Sequence, residues 1–280
     1  MKLNNCISVV VCVKNEESRI EGCLRSIMYN HPSEIIVVDG GSSDRTAELA
    51  LKYTKKVIIS TGSNLTRDRQ IGIDSSNQDL IAMIDADHRL DGDSLQGLLN
   101  DLTNNDYDIV QSQLLSYKNN NYWNSAEEDA WQLTHNIPGP KVMIGVAPAM
   151  YRKSLFSKVK FDDNVTKTID DTDFIYRLSK IKTMKIGIGE TKIKQLHFGS
   201  FSDYRKKFKW YGIGDSEFCI KHPHRSFRIL YHLIIRYPII YPLKALVSGK
   251  IKVIPFFMMQ GFFRFYGLVG GLISAKIKGK

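Results

Sequence analysis

The chain has 280 residues, 43% hydrophobic and 24% charged, a balance that suits one large folded domain, or one with an appendage, and excludes extensive disorder. Its net charge of +10 is unevenly placed: residues 201–280 hold 15 Lys and Arg against 3 Asp and Glu, leaving 24 against 26 in the first 200. The basic tail is interleaved with apolar runs rather than with the polar, glycine-rich spacers of a nucleic-acid-binding tail, so nucleic acid is excluded as a partner and an anionic membrane face or a pyrophosphate-bearing substrate is kept.

The polar start, Met1 to Asn5, leads directly into a strand without a signal-peptide pattern. Cys6, Cys12, Cys23 and Cys219 have no metal-ligand spacing, and Cys6 and Cys12 lie in or beside an apolar strand, which fits a reducing, cytosolic setting. The β-branched run Ile7 to Val13 predicts a buried parallel strand that breaks at the polar turn Lys14 to Ser18. Ile20, Leu24 and Ile27 then keep helical spacing, and Glu34 to Val38 reads as a second strand closed by Asp39-Gly40-Gly41-Ser42-Ser43-Asp44. Strand, helix and strand in this compass make a right-handed crossover unit, and ligands of such sheets bind beyond the carboxyl ends of the strands. Asp39 stands at a strand tip as a ligand or turn residue, whereas Asp44 suits the cap of the helix that follows.

A third strand, Val57 to Ser60, leads into Asn64 to Gly72, where Arg67 and Arg69 are either phosphate partners or plain helix residues. No Gly-x-Gly-x-x-Gly follows the first strand and no Gly-x-x-x-x-Gly-Lys occurs, which argues against a dinucleotide dehydrogenase and a P-loop NTPase. Next, Leu80 to Ile84 predicts a buried strand ending in Asp85 and Asp87, two carboxylates spaced to reach one point beyond its tip. Either they end the strand and cap the next helix, or they hold Mg²⁺ or Mn²⁺, hard cations that take one or two carboxylates while substrate phosphates complete the shell.

Ile7 to Glu17, Glu34 to Thr46, Arg69 to Gly72 and Ile84-Asp85-Ala86-Asp87 together resemble the successive motifs of the family 2 glycosyltransferases, in the family's order and spacing and over roughly the first 215 residues. The resemblance implies the GT-A fold, an α/β architecture with a Rossmann-like, mostly parallel sheet flanked by helices. It implies an inverting hexosyltransferase that uses a UDP- or GDP-sugar. By it, Asp39 contacts the nucleobase, Asp85 the ribose or the metal region, and Asp87 ligates the metal that bridges to the diphosphate. Val13, Asn15, Glu16 and Arg69 join Asp39 and Asp85 as nucleotide-sugar contacts. The chain departs from the family at Gly40 and Gln70, where an acidic residue and an Asn are more usual.

Asp91 to Asn105 then reads as a helix and Asp108 to Leu115 as a strand. Tyr122, Trp123 and Trp131 follow in a polar, aromatic stretch, with Trp131 either a core anchor or a sugar platform. Lys141 to Arg152 is similar to the family's wall of the donor-sugar pocket. Asp170, Asp171 and Asp173 open a helix whose apolar residues are Phe174, Leu178 and Ile181; three carboxylates in four residues exceed what a cap requires. This cluster looks like the family's Glu-Asp pair, which makes Asp171 the base, with Asp170 and Asp173 as the other candidates. His197 is a core histidine or, as in several GT-A enzymes, a metal or diphosphate ligand. Arg205 belongs to a basic helix that either closes over the pyrophosphate or is simply solvated.

The apolar runs Ile229 to Leu243 and Val253 to Ser274 end the chain, the second having the length of a bilayer span but interrupted by Pro255, Gln260, Arg264 and several Gly. They read as interfacial helices, with a packed helical tail and a true span as alternatives. The expected organisation is a GT-A domain over 1–220 and a basic, apolar, membrane-associating helical region over 221–280. The expected function is transfer of a sugar to a hydroxyl or phosphate acceptor, with a polyprenyl-phosphate-linked acceptor suggested by the tail, on the cytoplasmic side of a membrane as a peripheral or monotopic protein. Two rivals stay open: a nucleotidyltransferase acting on a sugar phosphate, and a non-catalytic membrane-bound scaffold.

Overall fold

The structure is a computed structural model and describes residues 6–62, 64–117, 121–196, 200–277 and 279. The chain forms two compact units: Met1–Tyr117, Pro138–Asp163 and Asp170–Leu196 make the first, and Lys118–Ile137, Asn164–Ile169 and His197–Lys280 the second. Compactness thus divides the chain elsewhere than at residue 220, because contacts made by segments distant in sequence decide the units.

The first unit opens with strand β1 (Ile7–Val13), helix α1 (Ile20–Met28), β2 (Glu34–Asp39), α2 (Thr46–Leu51), β3 (Lys56–Ile59), α3 (Leu65–Asp74) and β4 (Leu80–Met83). Every residue of β1 is buried, as its β-branched sequence requires of a central strand. Then come β5 (His88–Arg89), α4 (Ser94–Asn104), β6 (Ile109–Ser116), β7 (Gly139–Lys141), β8 (Ala149–Arg152), α6 (Asp170–Ser179) and β9 (Ile186–Gln195). Helix α5 (Tyr122–Thr134) leaves this unit between β6 and β7.

Among the described residues these strands form one sheet in the order β3-β2-β1-β4-β8-β6-β9-β5, with β7 beside β9. The first four are mutually parallel, joined by the crossover helices that parallel neighbours need. Strand β8 runs antiparallel to both β4 and β6, β6 is parallel to β9, and β5 and β7 run antiparallel to β9. The expected parallel character therefore holds through β3-β2-β1-β4 and again at β6-β9, and antiparallel pairs complete a mixed sheet. The chain builds β3-β2-β1 outward and then returns to lay β4 on the other side of β1, so order reverses between β1 and β4, the place where α/β sheets open a crevice for ligands.

Alternation along β1 divides the core. Val9, Val11 and Val13 meet Ile20, Leu24 and Ile27 of α1 and Leu95 and Leu98 of α4 on one face. Val10 and Cys12 face Ile73 of α3 and Phe174, Ile175 and Leu178 of α6 on the other. Buried Asn30 ties two elements of the first face: its Nδ2 donates to Ser26 O and Asp91 O, and its Oδ1 accepts from Leu95 N.

The second unit holds α5, α7 (Phe201–Lys221), α8 (Ser226–Tyr231), a wide π-helical stretch (His232–Ile240), α9 (Tyr241–Val247) and α10 (Ile254–Ile277). Trp123 of α5 packs 4.7 Å from the ring of Tyr204, whose hydroxyl donates to Phe256 O at 2.6 Å, so this aromatic serves packing; Trp131 is half-buried. Helices α7 and α10 cross closely through small residues. A Cβ on Gly212 would lie 1.9 Å from Arg264 O, one on Gly267 2.1 Å from Lys209 O, and one on Gly271 2.1 Å from Ser216 Oγ. At the same crossing Arg264 donates to both carboxylate oxygens of fully buried Asp215, at 2.7 and 2.8 Å.

Gly212→Ala is expected to lower unfolding stability by roughly 1–3 kcal/mol, since rigid backbone fills the space a methyl needs. Gly270→Ala, on the same α10 with open space around it, is expected to be neutral or to stabilise by up to about 1 kcal/mol. Paired denaturant titrations of the two variants measure the contrast.

Candidate active site

The loops after β1 and β2 meet at the carboxyl edge of the sheet and are stitched by their polar side chains. Asp39, buried at the tip of β2, accepts from Ser42 N and Ser42 Oγ, both at 2.7 Å. Asn15 has φ 56°, a left-handed conformation that Asn tolerates better than most residues, and its Oδ1 accepts from Ser43 N at 2.8 Å. Glu16 N donates to Thr46 Oγ1, and Asp44 accepts from Thr46 N and Glu17 N, which gives Asp44 the capping part expected of it. Val13 O accepts from Gly40 N at 2.9 Å. Val13, Asn15, Glu16 and Asp39 thus line one edge.

The departure at Gly40 has a physical reason. A Cβ there would stand 2.8 Å from Asp68 Oδ2, so a buried carboxylate from α3 takes up the room that a side chain at position 40 would need. Gln70 is likewise engaged by its surroundings, with Oε1 accepting from Phe161 N at 3.0 Å and Nε2 donating to Asp74 Oδ1 at 2.8 Å. Neither arrangement is visible in a single sequence, because the partners lie far apart or change with the loop.

Beyond β4, Asp85, Asp87 and His88 bring one ligand atom each within 4.8 Å of one another. Gln195, at the end of β9, donates to Asp87 Oδ2 at 2.8 Å. His88 is 1% exposed; its Nδ1 accepts from Asp85 N at 3.0 Å and its Nε2 lies 3.7 Å from Asp87 Oδ1. Because Nδ1 is an acceptor, the neutral ring carries its proton on Nε2, facing Asp87. The carboxylates are the hard oxygen donors that Mg²⁺ or Mn²⁺ takes, and His88 offers a third ligand atom, so the residues fit such an ion. Sequence reasoning missed His88 and put the histidine at His197, which lies outside the described residues. The signal was adjacency, since His88 follows Asp87 directly.

Arg69 joins this corner to the second acidic cluster. Its side chain is 5% exposed, one guanidinium nitrogen binds Asp170 Oδ2, and the other lies 3.6 Å from Asp85 Oδ1. Asp170 opens α6, so the start of that helix meets the end of β4 on one side of the sheet. The phenol of Tyr151 reports the same convergence: burial pushes it upward, and Asp171 and Asp85 both add to the rise. Glu16 is also raised, first by burial and then against Arg19 by Asp87 and Asp85. Asp171 is half-buried, with Oδ1 accepting from Thr172 N at 2.5 Å and from Thr172 Oγ1 at 3.1 Å.

Three of the expected site residues have the following surroundings. Arg69 is a buried bridge between carboxylates rather than an open contact for a phosphate. Asp173 is 1% exposed and pairs with Arg177 Nε at 2.7 Å within its own helix. Arg205 is exposed on α7 of the second unit. Ile169, immediately before the cluster, has φ 66°, a left-handed conformation that strains a β-branched residue where the chain turns into α6.

The family model for glycosyl transferase family 2 matches residues 8–182, which contain all of this edge. The chain belongs to glycosyl transferase family 2. As a family member it is similar to the uncharacterized glycosyltransferase EpsJ of Bacillus subtilis (strain 168), 32% identical over 111 residues, covering 37% of this chain and 32% of that one. It is also 26% identical over 170 residues to the dodecaprenyl-phosphate galacturonate synthase of Rhizobium johnstonii, covering 55% of this chain and 50% of the relative. The chain therefore spans only about a third to a half of these curated relatives. Among solved structures, the mannosyltransferase PcManGT of Pyrobaculum calidifontis, in complex with GDP-Man and Mn²⁺, superposes with a TM-score of 0.66 at 13% identity over 95% of this chain and 87% of that one. TarS of S. aureus gives 0.56 at 13% identity over 98% and 92%. These likenesses show that the family 2 glycosyltransferase has the GT-A fold.

Arg69→Met leaves Asp170 buried without its cation and is expected to lower stability by roughly 3–5 kcal/mol. Arg69→Met combined with Asp170→Leu is expected to recover most of that loss. A double-mutant cycle in urea checks both; equal losses in the single and double variants would show that the bridge does not hold the cluster.

Proposed function

We propose that the protein transfers a sugar from a nucleoside-diphosphate donor to a hydroxyl or phosphate acceptor in a single displacement with inversion. The observation that carries this reading is the Arg69 bridge, which ties Asp85 after β4 to Asp170 at the opening of α6, beside the reversal of strand order.

Val13, Asn15, Glu16 and Asp39 receive the nucleotide. Asp85 and Asp87 would hold Mg²⁺ or Mn²⁺, which when bound neutralises charge on the diphosphate. Asp171 takes the proton of an attacking acceptor hydroxyl. The acceptor oxygen forms its bond to the anomeric carbon while the bond from that carbon to the diphosphate oxygen breaks, and the electron pair departs with the nucleoside diphosphate. A phosphate acceptor is already ionised and needs no such proton transfer. The donor-bound neighbours and the polyprenyl-phosphate name of one relative support a nucleotide-sugar donor and a lipid-linked acceptor.

The second unit docks on a membrane in this reading. Phe227 is 80% exposed, Val247 88% and Ile277 80%, and Arg228, Lys244 and Lys252 stand exposed among them. Apolar side chains beside basic ones suit the interface of an anionic leaflet. Among the described residues only Ile251–Ile277 is long and apolar enough to cross a bilayer. It lies rather than spans, because Arg264 is fixed by Asp215 and glycines seat α10 along α7, whose Arg205, Lys206 and Lys209 are exposed.

Asp87→Asn and Asp171→Asn are each expected to keep a near-native melting midpoint and to lose at least about 100-fold in turnover. Assays with UDP- and GDP-sugars should release a nucleoside diphosphate; release of pyrophosphate would favour a nucleotidyltransferase, and full activity in either variant would remove its assigned role.

Phe227→Glu with Val247→Glu is expected to abolish sedimentation with anionic vesicles while leaving hydrolysis of the donor in solution unchanged. Undiminished sedimentation would rule out this face as the docking surface.

A further inference from the structure

The π-helical stretch His232–Ile240 places His232 and Arg236 on one side of the second unit, and π-helical turns concentrate at functional sites. Arg236 is half-buried; one guanidinium nitrogen donates to His232 Nε2 at 3.3 Å, and the group lies 5.2 Å over the ring of Tyr241. Among the described residues no carboxylate pairs with it. Arg264 of the same bundle differs: its donors are taken by Asp215 and by Tyr237 OH at 3.0 Å.

An arginine only donates, so His232 Nε2 accepts and the ring is neutral. Burial and then the charges of Arg236, Arg264 and Arg228 push His232 down to about 4. Arg236, Arg264 and Arg228 thus surround His232 with positive charge, secondary to burial in keeping its ring neutral. Ile239 at 47%, Ile240 at 37% and Leu243 at 56% exposure follow within two turns. A cation lacking an anion next to apolar side chains facing outward is the combination that a phosphate on a hydrocarbon chain satisfies.

We propose that Arg236, His232 and Tyr241 form a notch that binds the phosphate group of a lipid. The proposal deepens the membrane-docking reading and names the chemical group that reading leaves open. The phosphate comes either from bulk headgroups or from a lipid-linked acceptor.

The test uses the full chain with vesicles of phosphatidylcholine alone, with phosphatidylglycerol, and with dodecaprenyl phosphate at matched surface charge. Arg236→Gln is expected to weaken binding tenfold or more, and Arg228→Gln, which removes an exposed charge nearby, by at most about fivefold. A tenfold loss with both anionic lipids assigns the notch to headgroups; a loss confined to dodecaprenyl phosphate assigns it to the acceptor. Equal losses for the two variants on every vesicle would overturn the proposal. Calorimetric titration with hexyl phosphate separates this outcome from failure of the docking reading. Wild-type protein that ignores vesicles but binds hexyl phosphate through Arg236 keeps the notch and loses the membrane, and absence of any Arg236-dependent binding in both formats removes the notch. An unchanged melting midpoint for Arg236→Gln is expected, since no ion pair is broken.

Discussion

A guanidinium sealed between carboxylates is the constraint on which the candidate site depends. Arg69 reaches Asp170 with one nitrogen and Asp85 with the other, and it is almost completely buried. Arginine keeps its proton under all relevant conditions, so this is a fixed positive charge between Asp85 and Asp170, close to which in sequence stand Asp87 and Asp171. Two of those acids come from the end of β4 and two from the start of α6, elements that sequence separates by about eighty residues. Without a cation between them the acids would repel, and desolvation would oppose their sharing a pocket. One cation against several carboxylates still leaves an excess of negative charge, which is the condition under which a site accepts a divalent ion.

Topology makes the meeting possible. Order reverses between β1 and β4, so loops after these strands splay apart and leave a crevice, and the loop after β2 lies beside it. Asn15 and Asp44 then fasten the first two loops together through side-chain hydrogen bonds to backbone N–H groups, and Asp39 folds the second loop back on itself. A loop held that way arrives with its donors already oriented, which lowers the entropic cost of binding a nucleotide.

Much of this was legible in the sequence because it is local. Strands β1, β2 and β4 announce themselves through unbroken apolar runs, α1 through its spacing, and the acids through their position at strand tips and a helix start. What was not legible depends on pairs remote in sequence. The burial of Arg69 follows from where α6 lands, Asp68 fills the gap above Gly40 across twenty-eight residues, and His88 gains its part only when its ring turns back on the Asp85 N–H. The antiparallel half of the sheet escaped for another reason. Strand β5 has two residues and β7 three, too few for any period to register, and β8 joins β4 without a crossover helix to betray its direction.

The second unit shows why length and hydropathy alone misjudge a helix. Helix α10 has the span of a bilayer, yet three glycines at the α7 crossing admit backbone where side chains would stand, and this closeness brings Arg264 onto Asp215. In hydrocarbon that pair would require α7 to accompany α10, and α7 carries Arg205, Lys206, Lys209 and Lys221, which would have to enter too. The proposed interfacial docking removes the conflict, since apolar side chains of α8, α9 and α10 would meet the acyl boundary while the charges keep their water. Arg236 is half-buried in a stretch whose neighbours Ile235, Ile239 and Ile240 are exposed, the setting on which the proposed phosphate notch rests. A helix that is apolar by composition is thereby held against α7 by one ion pair and three missing side chains.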